Sequence, residues 1–202
     1  MSSVGPSILA FCVAAFLSLL ELVTSKYPQT FFLVRKSWAF FTYGVIYGLL
    51  ALGATLGLNA LSAAGAIKLE GLGMSSPWIR AIAIGVSFKA LLHIRLFSVT
   101  AGSEAFPIGV ETFVQLFEPP LTRRILLDHF NALQGFIGPR AEKYADLEKV
   151  KENISQNVPE LPEQERTAFL ADIQQTTSVK RAMERYLSLV GRPGFDRVFP
   201  PS

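Results

Sequence analysis

Three long apolar runs constrain this chain of 202 residues more than any other feature of its sequence. They cover residues 6–25, 38–62 and 78–99. A helix needs roughly 20 mostly apolar residues to cross the hydrocarbon core of a bilayer, and each run is about that long. The sequence therefore predicts an all-α integral membrane protein, in which residues 1–102 form a transmembrane domain of three helices.

The second half of the chain has a different pattern, because amphipathic segments replace the continuous apolar runs. Prolines and glycines, which interrupt helices, divide it into segments that we expect to be helical. These segments are residues 110–120, 121–138, 139–156 and 163–190, with Gly191 ending the last. Apolar residues three and four apart from Phe169 to Val190 are typical of a coiled-coil seam. We expect a helical cytoplasmic domain over residues 103–202.

Basic residues set the expected orientation of the chain. Lys26, Arg35 and Lys36 lie between the first two apolar runs, whereas Lys68 and Arg80 are the basic residues near the next loop. Because positively charged loops stay in the cytoplasm, we expect an inner (plasma) membrane protein with its N-terminus outside and its C-terminal domain cytoplasmic. The margin is a few charges, so the inverted topology is the alternative. Basic residues beside apolar runs favour contact with the lipid bilayer over binding of genomic nucleic acid.

Ionisable residues inside the third run pose the main functional question. Lys89 and His93 share one helical face, and Arg95 points away from it. A lysine near mid-bilayer costs about 2.5–3.5 kcal/mol on insertion scales, so it needs a partner or water. Glu21, in the first run, is the acid that matches their depth. Lys89 or His93 could pair with Glu21 and fix helix packing, line an oligomeric pore as a basic ring, or bind anionic lipid at the inner surface.

Small residues mark two opposite faces of the second run. Gly44 and Gly48 lie on one face, and Gly53 and Gly57 lie on the other. Glycines four apart let helix backbones approach closely in lipid. One face would pack within the subunit and the other on a neighbour, so we expect a homo-oligomer, a tetramer or larger.

The C-terminal tail is a candidate site for an anionic small ligand, since phosphate-bearing molecules bind clustered basic residues. Its basic residues are Lys180, Arg181, Arg185, Arg192 and Arg197. Solvated surface, or contact with the acidic segment 142–165, is the alternative interpretation.

Motifs of catalysis are not found in the sequence. It has no phosphate-binding P-loop, dinucleotide-binding glycine turn, HExxH zinc motif, GxSxG nucleophile elbow or cysteine pair. We therefore expect no enzyme, no catalytic residues, no metal site and no cofactor.

Taken together, these patterns favour an oligomeric membrane channel or membrane-permeabilising effector. Its pore would be formed by the three-helix domain and gated by a ligand or protein partner on the cytoplasmic domain. The layout is similar to that of small ligand-gated membrane effectors of bacterial antiviral defence, a similarity of architecture without a shared motif. The alternatives are a non-conducting membrane anchor or assembly subunit, and an accessory subunit in which Glu21 and Lys89 belong to an ion path.

Overall fold

A computed structural model describes residues 4–65, 76–92, 97–101, 104–108 and 110–201, and between residues 88 and 115 it describes the backbone alone. The chain divides into two compact units. The first unit contains Met1–Ser25 and Ser37–Ile125, and the second contains Lys26–Lys36 and Leu126–Ser202. The predicted domain boundary after residue 102 falls inside the first unit.

The first two predicted spans are present as helices. Helix α1 covers Val4–Lys26 and, after the short helix α2 at Phe31–Val34, helix α3 covers Trp38–Ala63. Their 23 and 26 residues make both long and apolar enough to cross a membrane. Small side chains of α1, including Ala10 and Ala14, are buried, which allows close helix packing.

The third predicted span is wrong as a single helix, and the described residues contain two candidate spans rather than three. Helix α4 covers Pro77–Leu92, and its 16 residues rise only about 24 Å, less than the hydrocarbon core. Strands β1 (Phe97–Ala101) and β2 (Glu104–Ile108) follow and pair antiparallel. Phe97, Val99 and Thr100 are aromatic or β-branched, types that favour strands. Apart from this hairpin, the predicted helical fold is confirmed in the described residues.

Helix α5 covers Val110–Lys143, so the expected stops at Pro119 and Pro120 and the expected start at Pro139 are wrong. A proline inside a helix costs about 3 kcal/mol, because it removes a hydrogen bond and crowds the preceding turn. Packing on both sides offsets this cost, since Ile125 and Ile137 are fully buried. The Thr122 hydroxyl also donates to the Glu118 carbonyl oxygen at 2.8 Å within the proline-containing turn.

In the second unit, the predicted helix 139–156 is divided, and its second part is helix α6 (Leu147–Gln156). Asp146 caps α6, because its carboxylate accepts hydrogen bonds from the backbone N–H groups of Glu148 and Lys149. These bonds to the charged form lower the pKa of Asp146, the bond from Lys149 contributing most.

The predicted helix 163–190 is also divided. Helix α7 covers Glu163–Gln175 and helix α8 covers Val179–Val198, so the expected continuous coiled-coil seam does not form. The backbone of Thr176 is extended, and its hydroxyl donates to the Asp172 carbonyl at 3.0 Å. Hydroxyl side chains compete in this way for backbone groups at helix ends. The seam residues Ile173, Met183 and Leu187 are instead buried in one core, shared with Val150, Ile154, Tyr186, Phe195 and Phe199.

Gly191 interrupts α8 but does not end it, so the predicted end of the helix there is wrong, and the helix continues to Val198. Its φ of 66° lies in the region that glycine alone adopts easily. Beyond this kink, Arg140 of α5 donates to the Asp196 carboxylate at 2.7 Å and to the Phe199 carbonyl oxygen at 3.1 Å. These bonds hold the last turn of α8 against α5.

Candidate functional site

The two glycine faces of α3 have different surroundings. A Cβ atom at Gly44 would lie 2.7 Å from Leu19 Cγ, and one at Gly48 would lie 2.7 Å from the Phe11 ring. Both distances are shorter than a Cβ contact allows, so these glycines let α1 and α3 touch. At Gly53 and Gly57, a Cβ would meet no atom within 4 Å among the described residues.

A carboxylate held by two tyrosines lies within the first unit. Tyr43 and Tyr47, one turn apart on α3, donate hydrogen bonds to the two oxygens of Glu118 on α5, at 3.1 and 3.2 Å. Their rings pack 4.8 Å apart, and both tyrosines are buried. We call Tyr43, Tyr47 and Glu118 the acid–tyrosine cluster.

This cluster follows from the physical chemistry of its setting. A carboxylate that packs against the apolar helix α3 needs hydrogen-bond donors, because apolar side chains offer none. Tyrosines at positions i and i+4 of a helix point the same way, so their hydroxyls reach one carboxylate together. Each bond to a charged acceptor is worth about 1.5–3 kcal/mol. The arrangement can stabilise an acid inside the unit or present it to a proton or cation.

A cavity of about 370 Å³ lies next to Glu21. Helix α1 lines it with Ser18, Glu21 and Thr24, and α4 lines it with Gly85 and Val86. Helix α4 fits closely here, since a Cβ at Gly85 would lie 2.9 Å from the side chain of Val13. One carboxylate and two hydroxyls of α1 lie among the mainly apolar lining residues of this cavity.

The proposed partners of Glu21 remain predictions. Lys89 belongs to the backbone of α4, but its side chain and the whole of His93 lie outside the described residues. Sequence reasoning missed Tyr43, Tyr47 and Glu118. Their signal was present, as two tyrosines one turn apart within an apolar run and an acid between Phe117 and Pro119. The sequence did not indicate that they meet.

The structure does not bring the basic tail residues into one site. Arg185 pairs with Asp172 at 3.2 Å, Arg192 pairs with Asp196 at 3.1 Å, and both arginines are exposed. Arg197 lines a separate cavity with Tyr186 and Asn157. The two remaining members are exposed on α8; they are Lys180 and Arg181.

His129 of α5 is half-buried within the second unit. His129 packs on the Tyr27 ring, 4.8 Å between centroids, and its Nε2 lies 3.1 Å from the Thr30 hydroxyl. Burial lowers the pKa of this imidazole below its usual value. Among the described residues, no three His, Cys, Asp or Glu side chains come together as a metal site would require.

Comparison with known proteins leaves the function to these geometric arguments. No protein-family model, no curated protein and no solved structure matches the chain.

Proposed function

We propose that this protein is the subunit of an oligomeric membrane channel or membrane-permeabilising effector, gated by its helical second unit. The observation that carries the proposal is the acid–tyrosine cluster, in which two tyrosines of the apolar helix α3 bind Glu118 of α5. Acidic residues within membrane segments are costly and commonly belong to ion or proton paths. Glu21 also borders the cavity between α1 and α4.

Membrane insertion of the first unit is supported by its outer surface. Large apolar side chains of α1, α3 and α4 are exposed, among them Phe16, Phe41, Val45, Leu49, Ile79 and Val86. Exposed apolar side chains in this number are uncommon on soluble monomers and are typical of a lipid contact. Helix α4 adds to this surface although it is too short to span alone.

The orientation is supported by the composition of the second unit. It contains the basic segment Lys26–Lys36 between the two spans as well as the C-terminal helices from Leu126 onward. A compact unit that folds in water lies on one side of a bilayer, so the basic segment and the C-terminal helices share that side. Positively charged loops stay inside, which makes the second unit cytoplasmic.

The chain must then return across the bilayer between Ala63 and Leu126. Helix α4 supplies about 24 Å of this path. The start of α5 supplies the rest, because Glu118 bonds Tyr43 and Tyr47, which lie on the half of α3 that follows Trp38. The return crossing is therefore divided between two helices. Discontinuous helices of this kind line the ion paths of many transporters.

Assembly is supported by the open glycine face of α3. Helix α1 of the same chain packs on Gly44 and Gly48, whereas no described residue lies within 4 Å of a Cβ at Gly53 or Gly57. The small-residue pattern on this second face suits a neighbouring subunit. Symmetry would then repeat the acid–tyrosine cluster around the assembly.

Currents from the full chain in planar bilayers test the channel. We expect Glu118→Gln to reduce cation current or lower cation selectivity, because the variant removes a charge from the path. Glu163→Gln, at the exposed start of α7, is the matched control and should behave as wild type. Lys89→Glu should change anion selectivity if the predicted basic ring forms.

One result would contradict the role of these residues, and another would overturn the channel. Wild-type current that neither Glu118→Gln nor Lys89→Glu changes, in variants that assemble normally, would remove these residues from any path. If the assembled wild-type protein carries no current, the non-conducting membrane anchor remains as the function. The same hydrogen bonds favour that second candidate, because three linked side chains also fix helix packing.

A further inference from the structure

A basic cavity in the second unit has the chemistry of a ligand site. Its volume is about 500 Å³, within the range of small-molecule pockets. Helix α2 and the residues after it provide one wall, α5 another, and Arg192 of α8 closes it. We call it the α2 cavity; its lining includes Phe32, Arg35, Lys36, Phe136 and Arg192.

The charges of the α2 cavity are all positive. Arg35, Lys36 and Arg192 come from two separate parts of the chain, and no acidic side chain is among its lining residues. Asp196 pairs with both Arg192 and Arg140, so one carboxylate faces two guanidinium groups. The balance favours an anion, and guanidinium groups bind phosphate oxygens well.

The walls of the α2 cavity are aromatic. Phe32 and Phe136 meet edge to face, 5.2 Å between ring centroids, and the Arg192 guanidinium lies 5.5 Å from the Phe32 ring. Gly191 makes this placement possible, because its kink redirects α8 and leaves space for Gln29, whose Oε1 would lie 2.8 Å from a Cβ there. A ligand here would meet three cations and an apolar wall together.

We infer that the α2 cavity binds a phosphate group that is attached to an apolar or planar moiety. Arg35, Lys36 and Arg192 would bind the phosphate, and Phe32 and Phe136 would contact the attached moiety. Two sources share this chemistry, the headgroup of an anionic phospholipid and a soluble phosphoryl ligand such as a nucleotide. Any effect of binding on conductance rests on the proposed function, whereas binding itself does not.

The test measures binding and current separately with the full chain. In the soluble arm, adenosine monophosphate is titrated calorimetrically into protein in phosphatidylcholine nanodiscs. In the lipid arm, native mass spectrometry counts the phosphatidylglycerol molecules retained by protein in detergent. The variant is Arg192→Gln, chosen because Arg192 is exposed and lies outside the basic loop that orients the protein. The control is Arg185→Gln on the same helix.

We expect wild type and Arg185→Gln to bind in one arm, with about tenfold weaker binding or loss of the retained lipid in Arg192→Gln. Binding only of the nucleotide identifies a soluble ligand, and retention only of the lipid identifies a headgroup. No binding in either arm, or equal loss in both variants, would overturn the inference. If the ligand binds without changing the current, the binding site is confirmed and its role in gating is contradicted.

Discussion

At the level of single residues, Gly191 has the most constrained backbone of the second unit. Its φ of 66° with ψ of −177° lies in a region that residues with a side chain rarely adopt. A Cβ there would also lie 2.8 Å from the Gln29 side chain. We expect Gly191→Ala to lower the free energy of unfolding by about 1–3 kcal/mol, measured by denaturant unfolding of the full chain.

Gly135→Ala is the control for this prediction. Gly135 lies within α5, and a Cβ there would meet nothing within 4 Å among the described residues. Alanine in place of glycine within a helix is worth about 0.5–1 kcal/mol, so this variant should be stabilised slightly. If Gly191→Ala is as stable as wild type, the kink tolerates alanine at residue 191 as well as glycine.

At this scale the sequence could predict only features that depend on one residue and its own backbone. Gly191 could be predicted as an interruption, because its effect depends on its own backbone. The pairing of Glu118 with Tyr43 and Tyr47 could not, since 71 and 75 residues separate the partners. The arginines of the tail looked like one cluster along the chain, but Arg192 lies with Arg35 and Lys36 in the structure.

At the level of elements, the two faces of α3 make a matched pair for mutation. Gly53→Ile combined with Gly57→Ile should leave the fold intact and reduce the oligomer to smaller species, because a Cβ at either position meets no atom within 4 Å among the described residues. Gly48→Ile should destabilise the subunit itself by about 1–3 kcal/mol or more, since the new side chain would overlap Phe11. Light scattering in detergent measures the first effect and thermal unfolding the second.

An unchanged oligomer in the Gly53→Ile and Gly57→Ile double variant would exclude this face of α3 as the subunit contact. Normal stability of Gly48→Ile would instead contradict the close approach of α1 and α3. The two faces were predictable because helical periodicity alone separates them. Which face is occupied required the structure, as did the continuity of α5 through its prolines, where packing of Ile125 and Ile137 outweighs local preference.

At the level of the whole molecule, apolar length predicted α1 and α3 but not α4. Its run of apolar residues reaches residue 99, yet Lys89, His93 and Arg95 interrupt it and the helix ends at Leu92. The sequence also could not predict which segments of the chain make up the second unit. Contacts between Lys26–Lys36 and the C-terminal helices depend on folding across a long separation along the chain.

The segments that form the second unit predict on which side of the membrane three positions of the chain lie. Single cysteines replace Ser25, Ala64 or Ser188 in a Cys12→Ser background, because Cys12 is the one native cysteine. All three positions are exposed, and Ala64 follows the far end of α3. Because the second unit joins the segment after α1 to α8, cysteines at 25 and 188 should share a side and the cysteine at 64 should lie opposite.

An impermeant maleimide on bacterial spheroplasts measures this arrangement. We expect the cysteine at 64 to react in intact spheroplasts, and those at 25 and 188 to react only after lysis. Opposite sides for 25 and 188 would contradict an even number of crossings between α1 and α8, and with it the return path through α4 and the start of α5. The reverse pattern, with 25 and 188 both reacting outside, would keep that return path and show that Lys26, Arg35 and Lys36 do not orient the protein.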